Sequence, residues 1–320
     1  MKQMTLARGG FEQFGKTTKR AAFLAEMDQV VPWAELCALI EPHYPKSGRR
    51  GRPPVGLERM LRIHFLQHWF NLSDPAVEES LYESVSMREF VGIDLGQERA
   101  PDETTVCKFR HLLEQHDLGR QIFERVGQHL QASGFRLSTG TIVDATLIAA
   151  PSSTKNSKGQ RDPEMKQSRK GNQWYFGMKA HVAVDAKTKL IHRVVATGGA
   201  VADGTVLPQL LHGKESAVWG DSAYSGCSKV IEQCSPWAID LTQRRGRGYA
   251  YLSEMQRAIN RKRSQVRARV EHSIGVIKRI FGFTKVRYRG LAKNGNRLFV
   301  AAALANLYTV RRPLLDAARA

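Results

Sequence analysis

A carboxylate stands inside "TIVDATLI" (Thr141 to Ile148), a stretch that is otherwise apolar or β-branched. An ionised Asp144 in such a strand is costly to bury unless it is paired or binds a cation. Metal coordination is the leading reading. The duller alternative puts Asp144 at the strand's end, capping a turn. Mg²⁺ takes hard oxygen ligands and keeps several waters, so two or three carboxylates from separate elements share it. Asp221 closes the apolar run "AVWG" before "DSAYSG". That places it at the C-terminal end of a strand, where open α/β sheets gather their ligands. Asp240 in "WAIDLT" is a rival ranked below it. Asp162 falls in a polar loop, Asp185 in a hairpin turn, and Asp203 reads as a helix N-cap.

A third acid comes from "RKRSQVRARVEHSIGVIKRIFGF". Between Leu241 and Gly290 there are 14 Lys and Arg against two acids, Glu254 and Glu271. Glu271 stands nearly alone in a cationic helix, with Arg267 four residues before it and Lys278 seven after it on the same face. Taken by itself, the Arg267–Glu271 spacing is an ordinary i, i+4 ion pair worth a few tenths of a kcal/mol. His181 and His272 lie near these acids in sequence. They read as hydrogen-bonding neighbours or phosphate contacts, because Mg²⁺ sites favour oxygen. Trp219, Tyr224 and Tyr288 could stack on a flipped base, although such residues more often pack in a core.

The elements that must position these residues follow from periodicity. Residues 1–45 read as a helical arm, with Phe23, Leu24, Met27, Val30 and Val31 at helical spacing. "PKSGRRGRPP" (Pro45 to Pro54) carries four cations among breakers and reads as an exposed basic linker. From 46 to 130 the pattern is helical. "LERMLRIHFLQHWF", "SDPAVEESLYES" with Ser73 or Asp74 as cap, and "PDETTVCKFRHLLEQH" opening on Asp102 suit a helix-turn-helix type module. Its last helix would present Thr105, Lys108 and Arg110 to DNA; an ordinary helical bundle with solvated charges is the competing reading.

From 135 to 315 strands enter. "TIVDATLIA" is followed by the polar stretch Pro151 to Asn172, expected as a loop or a segment ordered on binding. "WYFGMKAHVAVD" alternates, with Trp174, Phe176, Met178, Ala180, Val182 and Val184 on one face and Tyr175, Lys179, His181 and Asp185 on the other. That predicts a half-buried strand, and "LIHRVVATG" its hairpin partner. Helices and short strands then alternate up to a long basic helix over Leu252 to Phe281. Three consecutive strands followed by this alternation match an RNase H-like α/β fold, a mixed sheet flanked by helices and preceded by a helical DNA-binding domain.

With 49 Lys and Arg against 30 Asp and Glu, the 320-residue chain carries a formal charge of +19. A polyanionic partner follows, with nucleic acid ahead of a charged membrane surface. "LFVAAALANLY" (Leu298 to Tyr308) is too short to span a bilayer and reads as a buried helix. No export signal is evident at the N-terminus, so the cytoplasm is the expected location. Cys37, Cys107, Cys227 and Cys234 are scattered and read as reduced thiols.

Taken together, "TIVDATLIAAPSSTKN", "GNQWYFGMKAHVAVD", "VWGDSAY" and "RARVEHSIGVIKRIFGFTKVRYRGL" resemble the bacterial transposases of the insertion sequence five family, within the larger DDE group. "GRPPVGLERMLRIHFLQHWFNLSDPAVEESLYES" resembles the same family's N-terminal domain, so the likeness runs over residues 10 to 312. The resemblance implies Asp144, Asp221 and Glu271 as catalytic and metal-binding acids, separated by 77 and 50 residues. It implies Mg²⁺, with Mn²⁺ as a substitute and two ions in all. Its partners would be double-stranded DNA, as terminal inverted repeats and target, bound by a homodimer or larger assembly. Arg267, Glu271 and Lys278 match a Tyr-Arg-Glu-Lys signature whose tyrosine position is Ser264 here. Arg263 and Arg279 join Arg267, Lys278, Lys108 and Arg110 as expected DNA contacts. An RNase H-like nuclease or resolvase, or an inactive DNA-binding regulator derived from a transposase, are the other readings.

Overall fold

The computed structural model describes residues 16–46, 53–155, 157, 159–246 and 252–319. Most of the expected basic linker, and Arg247, lie outside the described residues.

Seven helices lead. Thr18 caps α1 (Lys19–Val30) by accepting from Ala21 N, and Leu24, Met27 and Val30 form its buried stripe. α2 (Trp33–Ile40), α3 (Leu57–Trp69), α4 (Asp74–Glu83), α5 (Val85–Val91), α6 (Glu103–Gln115) and α7 (Leu118–Ala132) follow. Ser73 caps α4, with Pro75 in the first turn, and Asp102 caps α6 by accepting from Thr105 N at 2.7 Å. The caps expected for these two helices are in place. α5, which the sequence pattern missed, separates the second and third helices of the expected module.

The sheet follows, from β1 (Gly140–Ala149), β2 (Lys166–Lys170), β3 (Gln173–Asp185), β4 (Ile191–Gly198), β5 (Ala217–Trp219) and β6 (Ile239–Asp240). β1 pairs antiparallel with β3 and parallel with β5; β3 also pairs antiparallel with β4, and β5 parallel with β6. The resulting order β4-β3-β1-β5-β6 is an antiparallel meander extended by two parallel strands, the RNase H-like arrangement. β2 pairs with the end of β3 that projects past this core, so part of the expected polar loop is a hairpin arm.

Both faces of the sheet are covered. α8 (Asp203–Leu210) and α9 (Ser228–Cys234) pack on one side over Val143, Ala183 and Val218. α12 (Leu291–Arg319) lies on the other, against β4 and α7. This explains why β3 is not half-buried as its alternation predicted. His181, Ala183 and Asp185 are as enclosed as Val182 and Val184. The strand's outer end departs in the opposite sense, since Trp174, placed on the apolar face by its spacing, is 66% exposed.

The expected long basic helix is broken. α10 (Glu254–Arg267), started by a Ser253–Gln256 capping box, ends at Ala268; α11 (Arg269–Gly275) follows, then a π-helical turn over Val276–Ile280.

One cluster of buried side chains runs from Leu24 to Leu315, so the expected arm packs into the body of the protein. "LFVAAALANLY" is the buried middle of α12, where Ala301, Ala302, Ala303 and Ala305 leave room for close packing. No helix among the described residues is long and apolar enough to cross a membrane. All four cysteines are free thiols.

Asn306 ties α12 to the outer strand of the meander: its amide accepts from Ile191 N at 2.8 Å and donates to Ile191 O at 2.7 Å. Replacing it with Ala strands both backbone groups in a dry environment, each at about 1–3 kcal/mol. We expect Asn306→Ala to lower the urea unfolding midpoint by a loss of about 2–4 kcal/mol, with Asn306→Leu no better.

Candidate active site

β1 and β5 run parallel and last pair at Ile142 and Trp219. Two residues further along the chain in each case stand Asp144, in the middle of β1, and Asp221, just past the end of β5, both where the parallel pairing has stopped. The chain leaves β5 through Gly220, where a Cβ would fall 2.8 Å from the Tyr224 ring. Only glycine lets that ring close under the strand end. Asp221 then caps the short turn Ser222–Tyr224, accepting from Ala223 N at 2.9 Å.

Arg267, the last residue of α10, reaches across to β1. Its Nη1 donates to Asp144 Oδ2 at 3.0 Å and its Nη2 to Glu271 Oε1 at 3.1 Å. The i, i+4 pair read from the sequence is therefore half of a bridge joining two of the expected acids. Asp144, Asp221 and Glu271 line one cleft of about 940 Å³, together with Arg267, Lys278, Arg279, Lys179, Asp203 and, from the hairpin arm, Arg169 and Tyr175.

Burial raises the Asp144 carboxyl to about 6; Arg267 and the Ala145 N–H pull it back down, and Asp221 and Asp203 push it up. Its charge is thus under-compensated by Arg267 alone. The donor chemistry suits a hard divalent cation, which favours carboxylate oxygens. In the arrangement present, however, Arg267 stands between Asp144 and Glu271. No group of three His, Cys, Asp or Glu among the described residues closes around a single point. The acids that would hold a cation are assembled, with a guanidinium between two of them.

The other expected residues divide. Lys278 is on the π-helical turn, and its ammonium donates to Thr146 Oγ1 at 3.1 Å and Leu147 O at 2.9 Å on β1. Arg279 is exposed on the cleft wall. Arg263 donates to Thr242 O at 2.5 Å, and Ser264, at the signature tyrosine position, accepts from Gln243 Nε2 at 2.5 Å. Lys108 is exposed on α6. Arg110 must be corrected as a DNA contact. It is 6% exposed, donates to Asp74 and Glu114, and lies 4.0 Å from the centre of the Tyr288 ring. It joins the helical region to the segment before α12 and is not presented to a ligand.

The competing acids behave largely as expected. Asp185 is buried yet held below the usual carboxylate range by hydrogen bonds from Ser138 and Thr188. Asp240 accepts from Ser228 and Thr242 outside the cleft, and Asp162 accepts from Gly290 N. Asp203 differs. Ala202 is the α8 N-cap, Asp203 makes no capping bond, and its carboxylate enters the cleft. An Asp-Gly pair opening a helix looked like a cap, and only the sheet's register reveals otherwise. His181 is fully buried, bonded to Thr197 Oγ1, and pushed down to about 4 by burial, so it is a neutral neighbour. Tyr224 is fully buried and stacks on nothing outside the protein, and Trp174 is the exposed aromatic near the cleft, 5.9 Å from the Arg169 guanidinium.

An RNase H-like sheet carrying one acid on β1 and one just past β5, where their parallel pairing stops, is the framework of enzymes that cut and join phosphodiester chains. Residues 136–307 match the family described as Transposase DDE domain, and residues 12–112 match the Transposase domain (DUF772). The chain belongs to the DDE transposase family and is a transposase enzyme. A cryo-EM structure of piggyBac transposase in a synaptic complex with hairpin DNA is similar at 11% identity and a TM-score of 0.47, over 93% of this chain and 76% of that one.

The raised Asp144 carboxyl has a consequence for stability. The folded protein holds this proton more tightly than the unfolded chain, so the group costs stability as pH rises from about 4 to about 6, and the whole cost is present above that. We expect metal-free Asp144→Asn to be more stable than wild type at pH 7–8, by on the order of 2 kcal/mol, with the difference closing below pH 4. Urea unfolding across this range in EDTA reads it directly, and a constant difference at all pH values would count against a raised carboxyl.

Proposed function

We propose that the protein is a transposase of the insertion sequence five type, which binds terminal inverted repeats, cleaves DNA at the element's ends and joins them to target DNA. The observation that carries this reading is the shared cleft of Asp144, Asp221 and Glu271, rimmed by Arg267, Lys278 and Arg279, in a chain of charge +19. We divide the chain into an N-terminal helical arm (1–45), a helical DNA-binding region (46–130) and the catalytic region (135–315). Double-stranded DNA is the partner, and two or more copies act on paired ends.

Asp144, Asp221 and Glu271 would hold Mg²⁺, or Mn²⁺ in its place, as a pair of ions. Bound there, such ions supply activation of the attacking oxygen and charge neutralisation at the leaving one. Arg267 keeps Asp144 and Glu271 apart and compensated until a cation and DNA arrive. Its guanidinium then turns to the phosphate backbone, where its two parallel N–H groups match two oxygens. Lys278 fixes β1 at Thr146 and Leu147 and lends a point charge to the same backbone. Arg279, Arg263 and Lys108 add contacts that are independent of sequence and sensitive to salt.

In the first step water oxygen attacks phosphorus at the element's end, and the P–O3′ bond breaks to leave a free 3′-hydroxyl. In the second, that hydroxyl attacks a target phosphate, and the target's own P–O3′ bond breaks as the new phosphodiester forms. The number of phosphodiester bonds is conserved in joining, so no external energy source is needed. No covalent enzyme intermediate is involved.

The test is cleavage and joining of labelled DNA carrying the element's terminal repeat, with Mg²⁺ or Mn²⁺. We expect Asp144→Ala, Asp221→Ala and Glu271→Ala each to abolish both steps at undiminished DNA binding, and Arg267→Ala to slow cutting by about 10²-fold, the scale of losing one charge-stabilising donor. Cutting without joining would make the protein a nuclease, and three alanine variants that cut like wild type would remove the acids from catalysis.

A further inference from the structure

Asp203 has no role in the reaction as described, yet three side chains face it. Its Oδ1 accepts from Lys179 Nζ at 2.9 Å, and the same ammonium donates to Val201 O at 2.7 Å. His181 Nδ1 stands 3.7 Å from that oxygen, beyond hydrogen-bonding distance, and has no other partner. The Tyr224 hydroxyl, which feels the charges of Asp203, Asp144 and Asp221, also has none. Both side chains are 0% exposed. A buried donor without an acceptor costs free energy, and two beside the same carboxylate point to a second arrangement of that carboxylate.

A small rotation provides it. Turned toward the sheet, Asp203 would come within reach of His181 Nδ1, in the tautomer whose Nε2 accepts from the Thr197 hydroxyl 2.8 Å away, and nearer the Tyr224 hydroxyl, on which Asp203 is the strongest charged influence. Lys179 then loses its counter-ion while still lining the cleft. It lies opposite Leu147 in the β1–β3 register, and the Leu147 carbonyl is held by Lys278. Lys179 rises from the α8 side of the sheet and Lys278 comes from the π-helical turn, so the two ammonium groups flank the same stretch of β1, before Ala149 is bridged to Lys285.

We propose that Lys179 is a further DNA-backbone contact of the cleft, held in reserve by Asp203 and released when His181 and Tyr224 take over that carboxylate. The inference rests on the transposase reading above. Asp203 is a positioning residue, acting on DNA only through Lys179. An ammonium paired in the empty cleft and freed on occupancy adds affinity only where a phosphate replaces the carboxylate.

The test is equilibrium binding of the full-length protein to a duplex carrying the terminal repeat, in EDTA, over a series of salt concentrations. Each phosphate contact contributes about 0.9 to the slope of log affinity against log salt. We expect Lys179→Gln to lower the slope by about that amount and Lys179→Arg to retain it; Lys179→Met serves if Gln disturbs folding. Asp203→Asn should tighten binding several-fold, and the gain should vanish in the Lys179→Gln background. An unchanged slope in Lys179→Gln overturns the contact. An equal Asp203→Asn gain in both backgrounds overturns the reserve and assigns the effect to net charge. If wild type fails to prefer the terminal repeat over unrelated DNA, the terminal-repeat reading of the proposed function falls, and this inference with it.

Discussion

The early end of the β1–β5 pairing is the constraint on which the site depends. β1 is central, bonded to β3 along nearly its whole length, whereas β5 stops at Trp219. From Val143 to Ile148 that edge of β1 has no strand partner, before Ala149 is bridged by the segment 284–286. An acid can therefore occupy an otherwise apolar strand and still reach the cleft. Extending β5 would cover Asp144 and remove Asp221 from its place in the cleft. Gly220, pressed against Tyr224, is where the chain is made to leave.

Opening the edge creates an electrostatic problem that Arg267 only partly solves. One guanidinium serves Asp144 and Glu271, and the buried carboxyl still holds its proton unusually well. A well-compensated ion pair would have little to gain from a ligand. An under-compensated one binds incoming positive charge readily, because burial strengthens the attraction as much as it penalises the lone acid. Breaking the helix at Ala268 directs Arg267 toward β1, and the π-helical turn beyond Gly275 swings Lys278 to the same strand.

Much of this was legible in the chain itself. Asp144 was visible because a charge in a Val and Ile strand is expensive, Asp221 because it ended an apolar run, and Glu271 because it stood alone among cations. The fold class followed from the succession of strands and helices along the chain. Other features depend on tertiary placement, which periodicity does not encode. Asp203 had the local grammar of a cap, and only the approach of α8 to β3 turned its carboxylate into the cleft. Arg110 looked like a groove-reading cation on α6 until Asp74, Glu114 and Tyr288 enclosed it. The β1–β2 connection was polar enough for a loop, and its pairing depends on a projecting strand elsewhere. Trp174 obeyed the alternation of β3 but lies beyond the helices that cover the sheet.

The shared core has a consequence for how the molecule comes into being. α12, made after every strand and after all three acids, closes against α7 and α1 and carries the Asn306 tie to β4. Gly119 bonds to Asn296, Asn71 to Gly282, and Glu26 to Arg311, contacts spanning more than 150 residues. Such long-range closure is slow, and it waits for α12. A nascent chain still lacking α12 holds all three acids without the scaffold that positions them. Synthesis itself thus separates possession of the acids from possession of a site, and a ribosome halted before α12 would release a chain without an assembled cleft.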